Sequence, residues 1–118
     1  GAVTDLAFLE RALAFARRHG LLLLSDLAYS ELTYDGYVAP SVLEVPGAGE
    51  VAVELHSCSK TYNMAGLRIG FAVGNAQALD TLLAYRTNVG YGTAWMSQVA
   101  GAAALERHRA LTPPIVAE

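Results

Sequence analysis

Lys60 is the only lysine in a chain that otherwise carries its positive charge on seven arginines. It closes the run Ser57-Cys58-Ser59-Lys60, directly after a β-rich apolar stretch. The ordinary fate of a lysine is a solvated surface position. Its amine also has a chemistry that arginine lacks: it can lose a proton and attack a carbonyl to form a Schiff base. Both readings are open on the lysine alone. Asp26 ends another apolar run, Leu21-Leu22-Leu23-Leu24-Ser25-Asp26. It is either a turn or cap residue or a buried acid that needs a cationic partner, such as the ring nitrogen of a ligand, because an unpaired carboxylate there is costly. Tyr29, three residues on, reads by itself as core packing. Arg68 sits between Gly66 and Gly70. Its guanidinium either presents a fork to a phosphate or makes a surface ion pair.

The elements that must position these residues emerge from periodicity and punctuation. Thr4 to His19 predicts a helix: Thr4 is a good N-cap, Leu6, Leu9, Leu13 and Ala16 mark one apolar stripe, and Gly20 is a ready C-cap. The Leu21–Leu24 run predicts a strand buried on both sides. Residues 30 to 50 are rich in turn chemistry, with a single helical turn expected at Ser41 to Val45. Val51 to His56 predicts a second strand, Ser57 to Ala65 a polar loop, and Arg68 to Val73 a third strand. Asn75 caps a helix over Ala76 to Thr87 with Leu79, Leu82 and Leu83 inward. A Gly and Tyr loop over Asn88 to Thr93 then leads into an Ala-rich helix from Ala94 to Arg109. Alternating helices and buried strands mean an α/β fold with a mainly parallel sheet. Ligands of such sheets sit beyond the carboxyl ends of the strands, and two of those ends carry Asp26 and Ser57 to Lys60. Three strands make a poor complete α/β domain, so neighbouring strands are expected outside this chain.

Composition excludes several classes. The chain has 118 residues, of which 53% are hydrophobic and 16% charged, so it is one globular domain at most and not a disordered tail. A net charge of −3 and a lysine-poor surface predict no nucleic-acid partner. No apolar run approaches the roughly 20 residues of a membrane helix, which predicts no membrane span. One cysteine excludes an internal disulfide and fits a reducing, cytoplasmic setting. His56 and Cys58 share a strand face but are too few for a metal site, so no metal is expected. His19 and His108 lie in charged helix ends and read as solvated. Tyr29, Tyr34 and Tyr37 around Asp35-Gly36 form either a binding loop or a packed turn.

Together the segment Ser57-Cys58-Ser59-Lys60-Thr61-Tyr62-Asn63-Met64-Ala65-Gly66-Leu67-Arg68-Ile69-Gly70-Phe71 resembles the Schiff-base lysine segment of the class I/II aminotransferases. These are fold-type I enzymes that use pyridoxal 5′-phosphate. Asp26-Leu27-Ala28-Tyr29 resembles the family's Asp-x-x-Tyr segment at the expected distance upstream, and Gly1-Ala2-Val3-Thr4 resembles the stretch that begins at the glycine of its Asn-Pro-Thr-Gly motif. The resemblance covers essentially the whole chain. It implies a three-layer α/β/α sheet with one antiparallel strand near 68–73, and that residues 1–118 are the middle of a larger cofactor domain whose flanking parts lie elsewhere. It also implies that the isolated piece exposes sheet edges and apolar helix faces and does not turn over by itself.

The same resemblance implies roles. Lys60 would form the Schiff base with the cofactor aldehyde and then move a proton between the substrate α-carbon and the cofactor. Asp26 would pair with the protonated pyridine nitrogen, and Tyr29 would hydrogen-bond the cofactor's phenolic oxygen. Ser57 and Arg68 would hold the phosphate, with Ser59 as a third contact. The activity implied is transfer of an amino group between an amino acid and a 2-oxo acid by a homodimer. A β-lyase or synthase would use the same residues, and so would the aminotransferase-like domain of a transcription regulator.

Overall fold

The computed structural model describes residues 2–116; Gly1, assigned above to the Asn-Pro-Thr-Gly motif, and Glu118 at the other end lie outside them. The first helix, α1, spans Leu6–His19. Its N-cap is Asp5 and not Thr4: the Asp5 carboxylate accepts the Phe8 amide at 2.8 Å. Asp5 also adds a negative charge at the positive helix end, which Thr4 does not. Gly20 closes α1 at φ 62°, and its N–H reaches the carbonyls of Ala16 and Arg17. Leu9, Leu13 and Ala16 are the buried stripe.

Strand β1 covers Leu23–Asp26, β2 covers Ala52–Ser57 and β3 covers Gly70–Gly74. They form one sheet in the order β1-β2-β3. β1 and β2 are parallel, from Leu23 opposite Ala52 to Asp26 opposite Leu55. β2 and β3 are antiparallel, from Val53 opposite Gly74 to Ser57 opposite Gly70. The antiparallel third strand is as expected, although it starts at Gly70 rather than Arg68. The expectation that the first strand is buried on both sides fails within this chain: Leu24 is 61% exposed, because β1 is an edge with none of the described residues covering that face.

Two hydrophobic clusters support the sheet. One joins Leu9 and Leu13 of α1 to Val42, Val45, Ala48 and Ala52. Here Val42–Glu44 is a short 3₁₀ turn, capped reciprocally by Ser41 and Glu44, so the single turn expected at Ser41–Val45 is present. The second cluster is Cys58, Tyr62 and Ala104, with Met64, Ile69 and Phe71 packed on it. Helix α2, Cys58–Thr61, replaces the expected polar loop. The reason is local: the Ser57 hydroxyl accepts the Ser59 amide at 3.2 Å and so caps a turn.

Helix α3 spans Ala76–Val89, capped by Asn75 through the Ala78 amide. Leu82 and Leu83 are exposed rather than inward, while Leu79 is half-buried. The single Ala-rich helix expected over 94–109 divides at Arg107 into α4, Trp95–Glu106, and α5, His108–Val116. Trp95, Met96, Val99 and Leu105 of α4 are all exposed.

Two glycines fix the β2–β3 contact. A Cβ on Gly70 would meet the His56 carbonyl oxygen at 2.6 Å, and one on Gly74 would lie 2.8 Å from Val53 Cα and closer still to the Ala52 oxygen. Gly74 also holds φ at 136°, which side-chain-bearing residues rarely adopt. Gly74→Ala is therefore expected to cost about 3 kcal/mol. A denaturant titration would show this as an early midpoint, and an unshifted midpoint would refute the close approach.

Candidate active site

Asp26 and Ser57 lie at the carboxyl ends of two adjacent parallel strands. Asp26 stands opposite Leu55, and Ser57 comes two residues later. The chain turns immediately after each. Leu27 N–H donates to the Leu55 carbonyl at 2.9 Å, and two tight turns come next, closed by Ser30 N–H to Leu27 O and Leu32 N–H to Tyr29 O. Ala28 N–H donates to Asp26 Oδ1 at 3.1 Å, which orients the carboxylate at the mouth of the strand. Asp26 is exposed rather than buried, so a costly unpaired buried acid does not arise here.

The turns carry Tyr29 over to α2. Lys60 Nζ stands 5.4 Å from the centroid of the Tyr29 ring, on its face. An ammonium in that position is attracted to the ring by roughly 0.5–1 kcal/mol where it is exposed. Asp26 and Tyr29 line one open cleft of about 590 Å³ together with Thr4, Thr33 and Tyr37. Two of these lining residues are tied together, the Tyr37 hydroxyl donating to the Thr4 carbonyl at 2.8 Å. Within the tyrosine group, Tyr37 is thus a packed turn residue, whereas Tyr29 and Tyr34 are exposed.

Ser57 and Ser59 meet in the cap of α2, where Ser59 is 8% exposed. The Ser57 oxygen accepts that amide and keeps its own hydroxyl hydrogen to donate. Arg68 reaches the same end of the sheet because β3 runs antiparallel: Cys58 N–H donates to the Ile69 carbonyl at 3.2 Å. Arg68 has φ 51° and is exposed; its guanidinium bonds back to the Ala65 carbonyl at 3.0 Å rather than to either serine. A left-handed arginine is a strained backbone feature of the kind that gathers at ligand sites. The structure thus joins Lys60 to Tyr29 and Ser57 to Ser59, and sets Asp26 and Arg68 at the same sheet end, where their side chains hydrogen-bond to Ala28 and Ala65 instead.

Sequence reasoning passed over Glu54 of β2, and it set His56 and Cys58 on one strand face, whereas Cys58 begins α2. Glu54 is 2% exposed; its Oε1 accepts Ser41 Oγ at 2.8 Å and the Val42 amide at 2.6 Å, and its Oε2 lies 3.2 Å from His56 Nε2. His56 stacks on Phe71 at 4.8 Å. The i, i+2 spacing of Glu54 and His56 on a strand was the available signal, since it puts both on one face. His108 keeps a partly solvated side chain, as expected, but its Nδ1 also lies 2.9 Å from the Tyr62 hydroxyl. Among the described residues no cluster of three His, Cys, Asp or Glu side chains could hold a metal ion. No helix there is long and apolar enough to cross a membrane.

Burial pushes the Cys58 thiol above its ordinary value of 9.0. Burial also pushes the Tyr62 phenol above 10.0, with smaller contributions from the charges of Cys58 and Glu31. Both groups are acids that keep their protons longer in the folded chain than in the unfolded one. Their contribution is complete below the ordinary values and is lost as pH rises toward the elevated ones. Thermal stability is therefore expected to fall as pH rises past the ordinary values of 9.0 and 10.0, and less so in Cys58→Ala. A profile that is flat over this range in both proteins would contradict the burial of the two groups.

The profile of the aminotransferase class I and II family matches residues 1–111. LL-diaminopimelate aminotransferase 2 of Trichormus variabilis is 53% identical over 104 residues, which are 88% of this chain and 27% of that protein. Glutamate-pyruvate aminotransferase AlaC of Escherichia coli is 49% identical over 102 residues, 86% of this chain and 25% of that one. A solved aminotransferase structure from Staphylococcus aureus superimposes with a TM-score of 0.90 at 30% identity, covering 98% of this chain and 31% of that chain. The chain thus spans about a quarter of the length of the curated relatives it matches.

The family is generally dependent on pyridoxal phosphate, and the side chains fit such a group. An amine suits its aldehyde, a carboxylate its ring nitrogen, a phenol its ring oxygen, and a capped serine with a guanidinium its phosphate. The observation that carries the fit is the Lys60 amine set over the Tyr29 ring at the strand end that also bears Asp26. By sequence profile, by relatives and by fold, the chain belongs to the aminotransferase class I and II family.

Proposed function

We propose that the chain is the central part of the large cofactor domain of an aminotransferase, which moves an amino group between an amino acid and a 2-oxo acid. Pyridoxal 5′-phosphate supplies the electron sink for that chemistry when bound. The contributions of the chain itself come from its side chains. Lys60 would anchor the cofactor through its amine and, when that amine is free, would take the proton from the substrate α-carbon and deliver it to the cofactor. Asp26 holds positive charge on the ring nitrogen. Tyr29 donates to the ring oxygen. Ser57, Ser59 and Arg68 hold the phosphate, for which the guanidinium must swing away from Ala65. The substrate class is taken from the relatives' names, which point to diaminopimelate or to the glutamate–pyruvate pair. Assembly as a homodimer is supported by the exposed Tyr91, Trp95 and Met96. A cytoplasmic location is supported by the single, buried, free cysteine.

The observation that carries this reading is the unique lysine on the Tyr29 ring. It is tested by incubating the chain with pyridoxal 5′-phosphate, reducing with borohydride and locating the adduct by peptide mass spectrometry. The only competing amine is the N-terminus. Lys60 is expected to be labelled faster. Labelling confined to the N-terminus would overturn the assignment of Lys60.

A further inference from the structure

A second set of side chains lies beside the site and is used by none of the roles above. Tyr62 is 8% exposed, and its hydroxyl lies 2.9 Å from His108 Nδ1, with the two rings edge to face at 5.9 Å. On the other side of the imidazole, His108 Nε2 lies 3.7 Å from Glu31 Oε2. Thr112, also 8% exposed, stands 3.2 Å from His108 Nδ1 and donates to the His108 carbonyl at 2.9 Å. With its proton directed to that carbonyl, Thr112 leaves Nδ1 to accept from Tyr62. The neutral imidazole then carries its hydrogen on Nε2, toward Glu31. A cavity of about 180 Å³ adjoins the three groups and is also lined by Ser57 and Thr61.

These residues come from three separate segments, and two of those segments carry a site residue. Glu31 shares with Tyr29 the turn closed by Leu32 N–H to Tyr29 O at 3.0 Å. Tyr62 caps the helix that carries Lys60, donating its amide to Cys58 O at 3.1 Å. His108 opens α5 and stands between the two. Lys60 over Tyr29 therefore closes a ring of contacts whose other side is Glu31, His108 and Tyr62.

We propose that Glu31, His108 and Tyr62 are positioning residues: His108 bridges the Tyr29 turn to the Lys60 helix and so holds the lysine amine against the tyrosine ring. The contact between Lys60 and Tyr29 is a single cation–π attraction at the surface, too weak to fix two segments by itself. The hydrogen bond from Tyr62 is the stronger link, because Tyr62 is 8% exposed and its hydroxyl has His108 as its partner. The inference rests on the proposed role of Lys60 for its catalytic meaning, but its geometry needs no cofactor.

The test uses the single lysine of the chain. Reductive methylation with ¹³C-formaldehyde labels Lys60 and the N-terminal amine, and a methyl held over an aromatic face shows an upfield ring-current shift. That shift is expected in the wild-type chain and is abolished in Tyr29→Ala. It is more than halved in Tyr62→Phe, which removes one hydroxyl and keeps the ring, and in His108→Ala. It is largely restored in His108→Gln, whose amide can accept from Tyr62 and donate to Glu31. Circular dichroism accompanies each variant to show that the helices persist. An unchanged shift in Tyr62→Phe and His108→Ala overturns the proposal, as does the absence of any upfield signal in the wild type. Failure of the functional reading is separate: the ring-current signal would then be intact and track the variants, while borohydride trapping of pyridoxal 5′-phosphate missed Lys60.

Discussion

Lys60→Ala, placed in the complete enzyme, is expected to lower the rate of amino transfer by about 10⁴-fold. Two effects combine. The covalent anchor is lost, and so is the base that takes the proton from the substrate. No neighbour in this chain can replace it: Lys60 is the sole lysine, and the side chain next to its amine is Tyr29. Guanidinium groups stay protonated, so the nearby Arg68 is no substitute. Binding should survive in weaker form, because Ser57 and Arg68 are untouched by the change. The checks are steady-state turnover and the mass of the borohydride-reduced protein. A variant that keeps near-normal turnover would refute the assignment of Lys60. A variant that loses turnover but still gains the reduced adduct at another lysine would show that the anchor and the base are separable.

Asp26→Ala is expected to reduce turnover by about 10²–10³-fold in the same enzyme while leaving the lysine able to form its adduct. In the proposed role the carboxylate would act at a distance from the amine, through charge on the ring nitrogen. Its orientation comes from Ala28 N–H, and its position comes from the pairing of β1 with β2. Neither depends on Lys60, so the two changes should separate: one removes the covalent bond, the other only slows the reaction. Wild-type turnover in Asp26→Ala would refute its role. Loss of the adduct as well would mean that Asp26 shapes the site rather than tuning it.

Most of the architecture is legible in the residues. The stripe of α1, the β-rich run of β2, the Asn75 cap and the antiparallel third strand all stand where periodicity, capping chemistry or resemblance put them. The departures have common causes. Capping competes among neighbours, so Asp5 displaced Thr4 and Ser57 turned a polar loop into a helical turn. Apolar content does not say which face is covered within a single chain; Leu24, Leu82 and Leu83 are apolar and exposed. Long-range partners leave no local trace. Nothing near His108 in the sequence points to Tyr62, which is 46 residues away, and nothing near Glu54 points to Ser41. Lys60 and Tyr29 were legible as types and as a motif, whereas the contact between their side chains was not.

Gly70 and Gly74 act together as a ruler. Each touches a β2 carbonyl at a distance that admits no side chain, and they stand at the two ends of β3. A one-residue slip of β3 would bring Phe71 and Asn75, or in the other direction Ile69 and Val73, against those carbonyls and turn every β3 side chain to the opposite face. The span between the glycines therefore cannot gain or lose a residue, although the irregular stretch from Thr33 to Pro40 can. Because Arg68 stands two residues before the first mark, its place along the sheet is set by length counting and not by any bond its side chain makes. A guanidinium placed that way is free to let go of Ala65 and still be found where a phosphate would need it.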